Sequence, residues 1–443
     1  MEASPAVGLS EGAIRRTFWP LALSWLFMSA DQPLNTAAIS HKANSEANTA
    51  ALLILLAIAY WIESPIIDLL STSTTLCSSR ASYRTLRGFT FALLGLVTLV
   101  HLLAGFTPIF DVVVYQLLGV TREVGEAARV PLQILTLWSA VIGWRRFNQG
   151  LLIRSHRARL ISVGTVVRMV SMSASLLALS FGTSRLSGII IASISLMIGV
   201  SCEAAYVTFA ARSAIRELPE APDEAPLTLS RLCRFHFPLT ATTMVNFLGM
   251  SVVSAALARA ASPVLTLAAY QVASSFLWAI RSSAYALPEI VITLARDEAS
   301  AARLRRFSVS VGAWGSAIVA ALYVTGGAYW YFHRALGSTE AVSRIACIAF
   351  IFGVLLPVIA CLQGYYRGML TALHRTSARL IAMGVYMTAL AASLVLLIGW
   401  GVDGARASGI AGTVALALEL WILYALFKKA AREVGQPAQV SVI

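Results

Sequence analysis

Apolar runs recur along the whole chain, each roughly 20 residues long, a length that carries an α-helix across a hydrocarbon core. Short polar or basic breaks separate them. A membrane β-barrel would instead alternate in segments of about 10 residues, and that pattern is absent. The runs predict spans at residues 17–39, 47–70, 88–110, 128–146, 160–182 and 186–210 in the first half. Six more follow at 235–258, 264–294, 307–331, 343–365, 380–400 and 407–427. Between the two sets lies the most polar and proline-rich stretch, 211–234, with Glu217, Pro219, Glu220, Pro222, Asp223, Glu224 and Pro226. The chain therefore reads as an all-α, polytopic membrane protein of about twelve helices. A six-helix lobe is expected over 1–210, a cytoplasmic linker over 211–234, and a second six-helix lobe over 235–443.

The two halves repeat one another. Phe18-Trp19-Pro20-Leu21 opens the first span and Phe237-Pro238-Leu239 the seventh, with the prolines 218 residues apart. Gly150-Leu151-Leu152 before His156-Arg157 returns as Gly368-Met369-Leu370 before His374-Arg375 at the same offset. Ala158-Arg159-Leu160-Ile161 with Gly164 returns as Ala378-Arg379-Leu380-Ile381 with Gly384, now 220 residues on. Both copies of this second motif follow the fourth span of their half. The repeat is therefore expected to be parallel, related by a pseudo-two-fold axis along the membrane normal, an arrangement suited to a central cavity. It also rejects a cleavable signal peptide at Arg15-Arg16 and Phe18–Ala30, because the counterpart segment lies mid-chain.

Charge orients the spans. Of the 34 Lys and Arg residues, 24 fall in the segments that are cytoplasmic if the N-terminus is inside, and eight fall in the opposite set. Arg168 and Arg281 lie within spans. The positive-inside rule then puts both termini in the cytoplasm of a plasma membrane, the inner membrane of a bacterial cell, as the arginine-for-lysine bias suggests. The net charge of +13 comes from these interspersed clusters, with no basic tail and no nucleic-acid motif. Composition agrees, since 58% of the 443 residues are hydrophobic and 12% charged, about half the charged share of a soluble domain. Cys77, Cys202, Cys233, Cys347 and Cys361 show no metal-knuckle spacing and read as small buried hydrophobes. No metal or other cofactor is expected.

Charged and polar residues inside spans are expensive and so face protein or water. Span 1 carries Asp31, Gln32 and Asn35 around Pro33, which should interrupt the helix and free carbonyls. Span 2 carries Glu63 and, beyond Pro65, Asp68. Arg168 on span 5 and Glu203 on span 6 are candidates to pair with one another. Span 8 places Arg281, Tyr285 and Glu289 at four-residue steps, beside Pro288. Arg281 reads either as an anion site or as a member of an internal ion network. Glu419 stands alone and weighs less. The basic residues after spans 4 and 10 (Arg145, Arg146, Arg154, Arg157 and Arg159; Arg367, Arg375 and Arg379) read as topology signals and headgroup contacts, or as an anion funnel.

Two six-span bundles in parallel repeat resemble the superfamily of multidrug and toxic compound extruders, polysaccharide flippases and lipid-linked-precursor flippases. Within it, the chain is similar to the progressive ankylosis (ANK) family of membrane proteins. The likeness rests on Pro20-Leu21, Gln32-Pro33-Leu34-Asn35, Pro65-Ile66-Ile67-Asp68, Phe237-Pro238-Leu239 and Leu287-Pro288-Glu289-Ile290. It covers most of the chain at low identity, and it carries over Gln32, Asn35, Asp68 and Glu289 as matched positions. The acidic tail of animal relatives is not seen. The resemblance implies a MATE-like fold and export of organic or phosphate-rich anions.

Function narrows accordingly. The chain has no G-x-x-x-x-G-K-[ST] for ATP, so an H+ or Na+ gradient or the solute gradient is expected to drive it. The leading expectation is a transporter working by alternating access, a monomer handling a small-molecule anion amid membrane lipids. A flippase or scramblase for a lipid-linked substrate is the second reading, and it would want several cavity arginines for a diphosphate. A multidrug or cation antiporter is the third. A membrane-embedded enzyme is disfavoured, for there is no H-E-x-x-H or G-x-S-x-G, and the six histidines are scattered.

Overall fold

The computed structural model describes residues 10–155, 157–183, 185–220, 227–373, 375 and 377–433. His156 and His374 of the repeat motif, and Pro222, Asp223, Glu224 and Pro226 of the expected linker, lie outside these. The described chain forms twelve helical rods. In the first half these are α1 (Glu11–Ser29, resumed by Asp31–Ser40), α2 (Ser45–Leu76), α3 (Arg80–Phe106), α4 (Arg122–Ile134 joined through Leu135–Leu137 to Trp138–Arg154), α5 (Arg159–Gly182) and α6 (Gly188–Arg216). In the second half they are α7 (Leu229–Leu257), α8 (Pro263–Leu294), α9 (Glu298–Val324), α10 (Glu340–Ala372), α11 (Ser377–Gly399) and α12 (Gly404–Glu433). Ten of the rods, all but α1 and α4, are long and apolar enough to span a membrane.

Prolines set the breaks. Pro33 has no N–H to give the Ser29 carbonyl, and α1 stops at Ser29 before resuming at Asp31. Pro65 likewise leaves the Trp61 carbonyl without its backbone donor, and the Ser64 hydroxyl replaces it at 2.6 Å. The first segment of α2 then ends at Ile67, which opens the Pro65 carbonyl to a hydrogen bond from His236 Nε2 at 2.9 Å.

The 218-residue offset runs through the secondary structure. It maps α3 onto α9, and the 3₁₀ turn Leu135–Leu137 onto Gly353–Leu355. It maps the capping box Ser79/Ser82 onto Asp297/Ser300, and Gly119 (φ 71°) onto Gly337 (φ 73°). Contacts follow it too. A Cβ on Gly150 would meet the Leu70 carbonyl, and one on Gly368 the Pro288 carbonyl 218 residues later, so each glycine lets two rods approach closely. Six rods per half, an even number, make the repeat parallel.

The compact units divide the chain differently from the sequence halves. One unit holds residues 1–33, 272–335 and 343–443, and the other holds 34–271 and 336–342. The first segment of α1, Glu11–Ser29, and the whole of α7 therefore each join the unit built mainly from the other half. Side-chain fit explains the exchange. Phe18 of α1 meets Phe307 of α9 edge-on at 5.1 Å in the first unit, and His236 of α7 meets Phe89 of α3 edge-on at 5.3 Å in the second. In the first unit, buried Phe18, Leu287, Ile290, Val291, Tyr365 and Leu370 form one core. In the second, α2 is apolar on every side, with Leu52, Leu53, Ile54 and Leu55 fully buried at its centre.

Candidate functional site

Buried charge in the second unit collects around Glu203. This residue of α6 is 1% exposed, and its carboxylate takes an ion pair from Arg145 of α4. Gln149 Nε2, one turn further along α4, donates to Glu203 Oε1 at 3.2 Å, and Arg168 Nε of α5 lies 3.5 Å from Oε2. Two rods, α4 and α5, thus converge on one carboxylate of α6, which offers enough lone pairs for all three groups. Close by, Glu63 of α2 is buried and accepts a hydrogen bond from Trp138 Nε1 at 2.7 Å. Arg145, Arg146 and Arg168 all act electrostatically on Glu63, so the two carboxylates and three guanidiniums form one cluster. Of the sequence candidates, the structure brings Glu63, Arg168 and Glu203 together.

Arg145 and Arg146 were expected in a loop and lie inside a rod. The fourth span was expected to end at 146, but α4 continues to Arg154. Arg145 is 5% exposed, so its part is an internal ion pair and not a headgroup contact. The same correction applies to Arg367 of α10, which pairs with Glu419 of α12, while Gln363 Nε2 donates to Glu419 Oε2 at 3.0 Å. Glu419 is therefore not isolated. Nearer the rod ends, Arg157 reaches Glu217 and Arg375 reaches Glu433, each at 2.8 Å.

The remaining candidates each have their own setting. Asp68, at the break in α2, accepts from Thr243 Oγ1 of α7 at 2.7 Å. Asn35 is buried, with Nδ2 at 4.0 Å from Met172 Sδ, a weak contact. Asp31 and Gln32 are half-buried at the start of the resumed segment of α1.

In the first unit, Arg281, Tyr285 and Glu289 do not form the expected single stripe. Residues Ser282–Ala286 wind as a 3₁₀ helix before Pro288, and this tighter turn rotates Tyr285 and Glu289 off the line of Arg281. Glu289 is exposed and, among the described residues, makes no ion pair. Arg281 also has no carboxylate partner among the described residues. Its guanidinium lies 5.4 Å from the Trp278 ring, and its buried Nε makes no hydrogen bond. Tyr285 packs between Trp278 at 4.9 Å and Trp25 at 5.1 Å. An aromatic wall beside an uncompensated guanidinium is the feature that distinguishes this part of the first unit.

Sequence reasoning missed Gln149, Gln363 and Trp138, and it assigned Arg145 and Arg367 to loops. One signal was present: the 218-residue offset pairs Arg145 with Gln363 and Gln149 with Arg367, an exchange of the same two residue types across one helical turn.

No protein-family profile matches this chain, and no curated protein sequence matches it. Solved structures do. A multidrug-resistance MATE family transporter of the MOP superfamily in its inward-facing conformation superposes with a TM-score of 0.76 at 12% identity, over 96% of this chain and 99% of that one. The lipid II flippase MurJ in an inward closed conformation gives 0.70 at 13% identity, over 93% and 90%. The eukaryotic MATE transporter AtDTX14 gives 0.66 at 14% identity, over 95% and 98%. At these identities the likeness is one of fold, and this multi-pass membrane chain has the MATE-type fold.

Proposed function

We propose that the chain is a gradient-driven transporter that works by alternating access and exports an organic or phosphate-containing anion. The observation that carries this reading is Arg281. It lies within α8 and, among the described residues, has no carboxylate partner, whereas Arg145, Arg168 and Arg367 each face a glutamate. A guanidinium left uncompensated at membrane depth is costly unless something anionic meets it. Its planar fork suits a carboxylate or phosphate, and the Trp278 ring holds it in place. The resemblance to the progressive ankylosis family supports an anionic cargo, and the MATE-type fold supports transport. Asp31, Glu63, Asp68 and Glu289 are the coupling candidates for H+ or Na+, with Gln32 and Asn35 as polar neighbours in α1. Both termini lie on the cytoplasmic side of the plasma membrane in this reading.

Efflux from proteoliposomes against a panel of labelled carboxylates and phosphate esters, with and without a pH gradient, tests the proposal. At least one anion should move, and Arg281→Gln should slow it about tenfold or more while Arg281→Lys retains part of the rate. Unchanged flux in Arg281→Gln, or leaflet exchange of fluorescent lipid with no anion flux, would overturn it.

A further inference from the structure

In the second unit α3 and α6 both pack on α4 and leave an open furrow of about 630 Å³ between them. Phe91, Gly95 and Leu102 of α3 line one wall, Ala204 of α6 the other, and Ala140 and Trp144 of α4 the floor. Small residues make the space: a Cβ on Gly95 would meet nothing within 4 Å. Thr98, also in the α3 wall, gives its hydroxyl to the Leu94 carbonyl at 2.8 Å, which keeps the lining apolar. Phe91 and Leu102 are exposed, and an exposed apolar face on a span meets lipid tails. From Phe91 to Leu102 the furrow follows about 16 Å of α3, close to one leaflet of a hydrocarbon core about 30 Å thick. At one end Phe91 stacks on Trp144 at 5.1 Å, and Trp144 Nε1 donates to Thr208 Oγ1 of α6 at 2.9 Å. That end therefore ties all three rods together.

Beyond the Phe91–Trp144 end the same helix faces turn basic. Arg87 lies one helical turn and Arg84 two turns before Phe91 on α3, and Arg212 lies two turns beyond Ala204 on α6. All three are exposed, and among the described residues none makes an ion pair. Arg87 rests 5.5 Å from the Tyr83 ring and Arg212 5.4 Å from the Phe209 ring. Glu217 and Glu220, at the same end of α6, are engaged by Arg157 and Arg80. We infer that the furrow holds an acyl chain of an anionic phospholipid, whose phosphate meets Arg84, Arg87 and Arg212. A soluble anion finds no polar lining there, and a neutral lipid leaves the arginines without a counter-charge. The counterpart in the first unit is built differently, since the 218-residue offset places Gly312 where Leu94 stands and Ala302 where Arg84 stands. A Cβ on Gly312 would lie 2.6 Å from Val358 Cα, so α9 closes onto α10 where α3 stands off. Lipid binding of this kind does not depend on transport.

Native mass spectrometry of the full chain in a neutral detergent, with dioleoyl phosphatidylglycerol or phosphatidylcholine added, reads the site. One phosphatidylglycerol should bind at least about tenfold more tightly than phosphatidylcholine, because each basic residue near a surface adds to the attraction for an anionic headgroup. Gly95→Phe sends a ring into the open furrow and should abolish that tight binding while the chain still folds. Replacing Arg84, Arg87 and Arg212 together by Gln should bring phosphatidylglycerol down to the level of phosphatidylcholine. In the unaltered chain, phosphatidylglycerol with a diazirine in its acyl chain should label α3 between Phe91 and Leu102 or α4 between Leu137 and Trp144, a readout that needs no variant to fold. Equal affinity for the two lipids, tight binding that survives Gly95→Phe, or label spread evenly over the spans would each overturn the inference.

Discussion

Glu203 on α6 and Glu419 on α12 are gripped in the same way, each by one arginine and one glutamine a helical turn apart on the fourth rod of its own half. The order of the gripping residues is reversed. Arg145 precedes Gln149 in the second unit, and Gln363 precedes Arg367 in the first. What the two halves keep is a carboxylate balanced by one guanidinium and one amide, and the residue identity at each position is free to change. Around that common grip the units diverge. The Glu203 grip also receives Arg168, for which the first unit offers Tyr386 or Thr388 depending on the local offset. It further neighbours Glu63 and Arg146, where the 218-residue offset places Arg281 and Gly364. One half gathers its intramembrane charge into a closed cluster, and the other leaves Arg281 uncompensated beside tryptophan. The fold is duplicated, but its polar chemistry is not.

The comparison can be broken most sharply at the two glutamates. Glu203→Gln removes the carboxylate that Arg145 and Arg168 share in a buried setting and should cost about 3–5 kcal/mol. Glu419→Gln strands only Arg367, whose side chain is 26% exposed, and the cost should be nearer 1–3 kcal/mol. Equal losses of Tm in the two purified variants would show that the surroundings of the grip do not matter.

The glycines test whether the two halves pack equally tightly. A Cβ on Gly150 would overlap Ser73 Oγ and lie 2.5 Å from the Leu70 carbonyl, while one on Gly368 would lie 2.8 Å from Val291 Cβ and 2.9 Å from the Pro288 carbonyl. Gly150→Ala should therefore be the worse substitution of the pair, within the roughly 1–3 kcal/mol typical of overpacking. Folded yield and Tm of the two variants check the order.

The smallest effect separates the equivalent caps of α3 and α9. Hydrogen bonding from the Ser300 backbone N–H and hydroxyl holds the Asp297 carboxyl below its ordinary value of 3.8. Its folded-state pKa is depressed, so its contribution is present above that ordinary value and is lost as pH falls through the folded value. Asp297→Ala should then cost about 1 kcal/mol at neutral pH and progressively less in acid, whereas Ser79→Ala should cost a similar amount throughout. Hydrogen exchange in the first turns of α9 and α3, at pH 6 and at pH 3, distinguishes the two.

Much of the architecture was legible before any coordinates. The apolar runs place all twelve rods, because a span must be apolar over its whole length whatever it packs against, but nearly half of the ends are off by six to nine residues, where a rod runs on into polar sequence or stops short of the apolar run. The repeat was legible from three short motifs, and the tertiary structure extends it to caps, left-handed glycines and 3₁₀ turns. The pairing of Arg168 with Glu203 could be suggested from sequence, since few charges within spans are available to balance one another. Arg145 could not be recognised in this way. It stands at the end of an apolar run, where hydropathy and the positive-inside rule both assign arginine to a loop, and only the continuation of α4 to Arg154 buries it.

Sequence alone determined the number of rods, their approximate limits, the duplication and the parallel sense of the repeat, since these follow from apolar length and from an even count of spans. It did not determine which rods share a unit or which charges meet. The first segment of α1 and the whole of α7 leave their neighbours in sequence for the other unit because the faces of Phe18 and His236 fit there. Arg281 makes no ion pair among the described residues because no carboxylate of its own unit packs against it there, whereas Arg146 stands beside Glu63 and Glu203. Pairing across rods is decided by where distant segments pack, and the hydropathy of a single segment carries no record of its partners.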